Sequence, residues 1–161
     1  MKYFEDEFYH TPNPALANIP DFDEKFLNQI YGENPPPIGA PPPMGPKGPD
    51  FTKHRPAWLF HNMKKGTYLK NVVPDGKYEK VDPAALFSSS FPPTYFIHGG
   101  VDTGVLPKFS EQAHAELKEK GVDTKLVIVE GGPHGFDAGA KPGDGKFAIV
   151  EEGFKFLRAH V

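Results

Sequence analysis

Two stretches of the chain share one layout: Phe91-Pro-Pro-Thr-Tyr-Phe-Ile-His-Gly-Gly-Val-Asp102-Thr-Gly-Val105 and Val127-Ile-Val-Glu-Gly-Gly-Pro-His134-Gly-Phe-Asp137. In each, an apolar run gives way to glycines, and a side chain able to do acid–base chemistry stands just past the run. Runs of this kind, apolar without alternation, suit parallel strands buried on both faces. The spacing predicts strands over Phe91–His98 and Lys125–Val129. Between them Pro107–Lys120 reads as a helix, with Phe109, Ala113 and Leu117 at i, i+4, i+8 and Gly121 in the place of a C-terminal glycine cap. A strand–helix–strand crossover of this length is right-handed and needs a parallel sheet. It brings Asp102 and His134 to the same end of two strands. Gly145–Val161 reads as a last helix carried by Phe147, Val150, Phe154, Leu157 and Val161, weakened slightly by Gly153. The fold class is therefore α/β, with a C-terminal parallel β-α-β-α unit. Two parallel strands do not form a stable sheet alone, so the chain is short of strands.

The first half has a different texture. Residues 1–20 are acidic and aromatic, and Pro12, Pro14 and Pro20 interrupt any period, which predicts an extended arm. A short helix is predicted from Phe22 to Tyr31. Asp21 would cap it, Glu24 stands at the capping-box spacing, and Phe22, Phe26 and Ile30 share a face. Residues 35–49 form a Pro-rich connector that favours polyproline II. A second helix is predicted from Arg55-Pro56 to about Asn71. Its apolar face carries Trp58, Leu59, Phe60, Met63, Tyr68 and Leu69, and Lys64, Lys65 and Lys70 lie on the solvated side. Residues 1–83 thus read as a mainly helical, Pro-rich cap segment, and 84–161 as the sheet-bearing core.

Composition removes several function classes. The 161 residues carry a formal charge of −3 with no basic stripe, so no nucleic-acid partner is expected. There is no cysteine, which excludes disulfides, thiolate metal sites and cysteine nucleophiles. No apolar run approaches the roughly 18 residues of a membrane span. The N-terminus lacks a signal layout, so a cytoplasmic location is expected. Neither a metal nor a cofactor is expected. Gly139–Lys146 imitates a phosphate-binding loop, but its spacing is one residue too long and Phe147 stands where a hydroxyl is needed.

Functional groups in open α/β sheets collect past the carboxyl ends of the strands. A carboxylate beside an imidazole fixes its tautomer and stabilises the imidazolium. Asp102 and His134 are therefore the candidate acid and base. The plainer alternatives are an aspartate that caps the following turn and a loop histidine without a role. A nucleophile is missing. Ser88, Ser89 and Ser90 precede a strand, Ser110 lies inside a helix, and none has glycines two before and two after. His98-Gly99-Gly100 looks like the start of an oxyanion loop, but no nucleophile elbow follows it.

The stretches Pro92–Pro107 and Gly131–Phe136, with the helix Phe109–Gly121 between them, resemble the C-terminal part of α/β-hydrolase fold serine esterases and lipases of the fungal type. The resemblance is specific over residues 84–161 and looser over 1–83, which resemble the cap of such enzymes. It implies a partial α/β-hydrolase fold that lacks the N-terminal half with its Gly-x-Ser-x-Gly elbow. It implies Asp102 as triad acid, His134 as triad histidine, and Trp58, Phe60, Met63 and Tyr68 as lining for a small-molecule ester substrate. Prolyl-oligopeptidase-type peptidases end similarly, so peptide hydrolysis stays open. The expected function is a portion of a serine hydrolase acting on carboxylic esters, inactive alone and completed by an N-terminal half. The alternative is a non-catalytic truncated relative that self-associates through its sheet edge and binds a ligand or protein partner.

Overall fold

The computed structural model describes residues 3–34 and 48–161, which cluster as two compact units, Phe4–Tyr78 and Glu79–Val161 with Tyr3. Positions 35–47 of the expected Pro-rich connector lie outside the described residues.

The first unit is helical. The acidic start is not simply extended: short 3-10 turns form at Tyr3–Glu5, Glu7–Tyr9 and Pro14–Leu16. Two of them are capped locally, by Asp6 accepting from the amide of Phe8 and Asn13 accepting from that of Ala15. Helix α1 spans Glu24–Asn28. Its cap is Asp23, whose Oδ1 accepts the amides of Lys25 and Phe26 at 2.9 and 3.2 Å. The predicted cap, Asp21, pairs instead with Lys64 Nζ at 3.2 Å. The predicted long second helix is two helices, α2 (His54–Lys65) and α3 (Tyr68–Val72). Gly66 divides them at φ +67°, a left-handed backbone that ends a helix readily at glycine. Leu27, Ala57 and Trp58 form the buried centre of this unit, with Phe22, Phe26, Ile30, Phe51 and Tyr68 packed around it.

The second unit is mixed α/β. Strand β1 (Thr94–Gly99) leads through a glycine turn to helix α4 (Pro107–Glu119), then to strand β2 (Thr124–Val129) and helix α5 (Gly145–Arg158). The strands pair in parallel from Thr94↔Thr124 to Gly99↔Val129. Alternate residues of β1 serve different helices. Phe96 meets His114 of α4 edge-on, and His98 bonds Ser110 of α4. On the other face, Tyr95 packs against Phe156 of α5 with the rings tilted, and both Tyr95 and Ile97 lie against Gly153. Phe109 and Leu117 are the largest side chains wholly buried here. Gly121 turns the chain at φ +79°, as a glycine after a helix does.

Both strands were expected to be buried on two faces. They are half-buried: β1 is enclosed only at Gly99, and Ile128 of β2 is 37% exposed. The cause is the strand shortage. In a sheet of two strands each has an open edge, and one helix per face cannot cover it. The outer side of α5 likewise leaves Phe154 and Leu157 at 63% and 47% exposure. No described helix is long and apolar enough to cross a membrane.

Candidate acid–base site

The site stands where both strands end. Beyond β1 the chain turns back on itself, Asp102 N–H donating to Gly99 O at 3.1 Å. Beyond β2, Gly132 N–H donates to Val129 O at 3.0 Å. The two turns are bonded to each other through Gly100 N–H to Val129 O (2.8 Å) and Val101 N–H to Gly132 O (3.1 Å). They approach so closely that a Cβ on Gly99 would stand 2.3 Å from Gly132 O and 2.6 Å from Pro133 O. Gly131 and Gly135 take φ +66° and +64° on either side of Pro133-His134, which lets a short loop present the ring.

The result brings the two predicted residues together. His134 Nδ1 lies 2.9 Å from Asp102 Oδ2. The Asp102 side chain is 6% exposed and that of His134 58%. Oδ1 of Asp102 accepts the amides of Gly104 and Val105 at 2.8 and 3.0 Å. Since a carboxylate only accepts, Nδ1 carries the ring proton. The other nitrogen, Nε2, is left with no hydrogen-bond partner among the described residues and is the one able to take a proton from outside.

Burial alone would raise the Asp102 pKa. The Val105 amide, the His134 ring and the Gly104 amide outweigh it and hold the carboxyl below its ordinary value. The folded state therefore binds this proton less readily than the unfolded chain. The stability from that difference is present above the unfolded pKa, about 3.9, and is lost as pH falls through the lower folded value. In urea titrations between about pH 5 and pH 2, the midpoint of the Glu79–Val161 unit should fall less steeply in Asp102→Asn than in the wild type. Equal slopes would show that the carboxylate carries no such linkage.

His98, which the sequence offers only as the start of an oxyanion-like loop, also reaches the site. Its Nε2 lies 2.9 Å from Val105 O and 3.4 Å from Asp102 Oδ2, and its Nδ1 lies 2.7 Å from Ser110 Oγ. The signal was legible: a histidine at the end of a strand, followed by Gly-Gly, is brought back against the residue four positions on. The serines follow the sequence reading. Ser88 and Ser90 bond each other at 3.1 Å, Ser110 is committed to His98, and no described hydroxyl meets His134 Nε2. Trp58, Phe60, Met63 and Tyr68 all lie in the helical unit. Trp58 is 8% exposed, donates to Tyr31 Oη at 3.2 Å and packs against Tyr68. Phe60 and Met63 are half-buried. Among the described residues no cluster of three or more histidine and acidic side chains is arranged to hold a metal ion.

No family model matches the chain, and no solved structure does. Among curated proteins, the chain is 41% identical to a non-reducing polyketide synthase of Aspergillus calidoustus over 98% of its own length. It is 27% identical to one of Emericella nidulans over 98% of its length, and 35% identical to one of Penicillium brasilianum over 43% of it. It spans 8% of the length of the first two and 3% of the third. The first alignment runs over 194 positions, more than the chain contains, so that relative has residues with no counterpart here. These relatives correct the expected kinship with fungal serine esterases and lipases, and with it the reading of the chain as a portion of a carboxylic-ester hydrolase or a truncated relative of one. The misreading has a physical reason. The two glycine-rich motifs encode a strand-end geometry that pairs an acid with a base, and that geometry does not specify which reaction the pair serves. What this chain is similar to is a small part of a non-reducing polyketide synthase.

Proposed function

We propose that the chain is the acid–base portion of an acyl-transfer site in a polyketide-synthase-type protein, of the kind that detaches a finished chain by transfer or cyclisation. Polyketide chains are held as thioesters, and detaching one requires an attacking group to lose a proton and the departing thiolate to gain one. His134 Nε2 would take the first proton and deliver the second. Asp102 would hold the ring through Nδ1 and stabilise the imidazolium between those events. The β-α-β-α unit would be the closing part of an α/β-hydrolase-like sheet, with further strands and the attacking group supplied from outside residues 1–161. The open strand edges and the exposed Phe154 and Leu157 are compatible with such neighbours.

The observation that carries this reading is the 2.9 Å pair between a buried carboxylate and an exposed imidazole whose Nε2 meets no partner among the described residues. The test is a graft. The chain replaces its matching segment in the Aspergillus calidoustus synthase, and release of product is measured with His134 intact and with His134→Ala. Release that slows about a thousandfold with alanine, inside the 10²–10⁴ range of general acid–base catalysis, is expected. Equal release from both grafts would end the proposal.

A further inference from the structure

Behind the Asp102–His134 pair lies a second line of contacts that the acid–base reading does not use. His98 is nearly enclosed, its side chain 11% exposed. Its Nε2 faces Val105 O at 2.9 Å and Asp102 Oδ2 at 3.4 Å. Both are acceptors, so Nε2 must carry a hydrogen. In the neutral ring Nδ1 is then an acceptor, and the group facing it is the Ser110 hydroxyl. A serine in a helix commonly points to solvent or turns its hydroxyl to a carbonyl of the preceding turn. Ser110 instead donates to the ring and thereby selects the tautomer with hydrogen on Nε2.

The consequence falls on Asp102. Val105 is gripped at both ends of its residue: its N–H donates to Asp102 Oδ1 and its C=O accepts from His98 Nε2. The loop that carries the acid is thus tied to β1 and α4. The second contact of Nε2 is with Oδ2, the oxygen that receives His134. His134 is mostly exposed and sits on a loop flanked by two left-handed glycines. Whenever its ring swings out, a donor remains beside the buried carboxylate, whose charge would otherwise face no partner at that oxygen.

We infer that Ser110 and His98 form a positioning relay that holds Asp102 in the geometry and charge state His134 needs. This rests on the reading of Asp102 and His134 as the acid–base pair. Neither residue touches the acyl group; both act through Asp102.

The experiment is nitrogen-15 NMR of the histidine rings in the full 161-residue chain, without substrate. In the wild type, His98 should show the pattern of a ring protonated at Nε2, and His134 should show a downfield Nδ1–H protected from water. Ser110→Ala is a mild change within a helix. It should shift His98 toward a tautomer mixture and raise the exchange rate of the His134 Nδ1–H about tenfold, equivalent to ~1.4 kcal/mol. Ser110→Thr keeps the hydroxyl and should restore both signals. His98→Gln, whose amide can donate where Nε2 did, should preserve the protected proton better than His98→Leu. If His98→Leu fails to fold, the serine pair still decides the matter. A wild-type chain without a protected His134 proton overturns the relay, and so does a Ser110→Ala chain with unchanged His98 and His134 signals. Loss of function in the graft with these signals intact would fall on the acyl-transfer reading alone.

Discussion

Gly99→Ala should cost the sheet unit about 3 kcal/mol, the upper part of the range for forcing atoms into a packed site. The added carbon would stand 2.3 Å from Gly132 O, 2.6 Å from Pro133 O and 2.8 Å from Gly132 C. All three are backbone atoms, so no side chain can rotate away. The strand ends must separate, and the bonds at stake are those from Gly100 to Val129 and from Val101 to Gly132. For a unit of this size the loss corresponds to a drop of about 15 °C in Tm. Thermal unfolding followed by a probe inside Glu79–Val161 measures it. Gly104→Ala is the control, since a carbon there meets Asp102 Oδ1 at 3.4 Å and His134 Nδ1 at 3.5 Å, which is ordinary contact. A Tm for Gly99→Ala within a degree or two of the control would show that the turns are not locked together as described. The same separation would pull Asp102 and His134 apart, so the damage to the site should exceed the damage to the fold.

Asp102→Asn in the grafted synthase should slow release about 10³- to 10⁴-fold while the fold persists. The reason lies in which oxygen does what. Oδ1 receives the Gly104 and Val105 amides, so an asparagine is held with its carbonyl there and its NH₂ in the place of Oδ2. That group is a donor and faces His134 Nδ1, which must then become an acceptor. The ring proton moves to Nε2, where the base is needed, and the base is lost although every atom is nearly in place. Because the two residues act as one unit, Asp102→Asn with His134→Ala should be about as slow as the worse single variant. Multiplying losses would mean that they act independently and would sink the pairing. Single-turnover release rates of the three grafts decide between these outcomes.

The elements were legible where local chemistry determines them. Phe109, Ala113 and Leu117 describe α4 from spacing alone, and Pro107 and Gly121 bound it. The strands showed through their unbroken apolar runs, and their relation to the glycines that follow put Asp102 and His134 side by side. The illegible parts depended on contacts distant in sequence or on a choice between near neighbours. Asp21 and Asp23 are both plausible caps, and the choice was settled by Lys64, 43 residues away, which draws Asp21 aside. Gly66 broke a helix that hydrophobic spacing alone would continue to Asn71. The place of Ser110 beside the other nitrogen of His98 depended on how α4 packs against β1. The reaction itself could not be read at all, since an acid–base pair performs the same proton transfers whichever bond breaks.

The division of labour along β1 restricts how this part of the chain can change in length. Phe96 and His98 belong to one helix, Tyr95 and Ile97 to the other. Deleting or inserting one residue inside the strand would exchange the two sets, since side chains alternate with a period of two. His98 would then turn away from Ser110, and Tyr95 would turn away from the gap opposite Gly153. Length changes among related sequences should therefore be confined to the loops, or occur within the strands only in steps of two. The additional residues carried by the Aspergillus calidoustus relative should lie outside Thr94–Gly99 and Thr124–Val129, leaving the distance from each strand to its glycine turn unchanged.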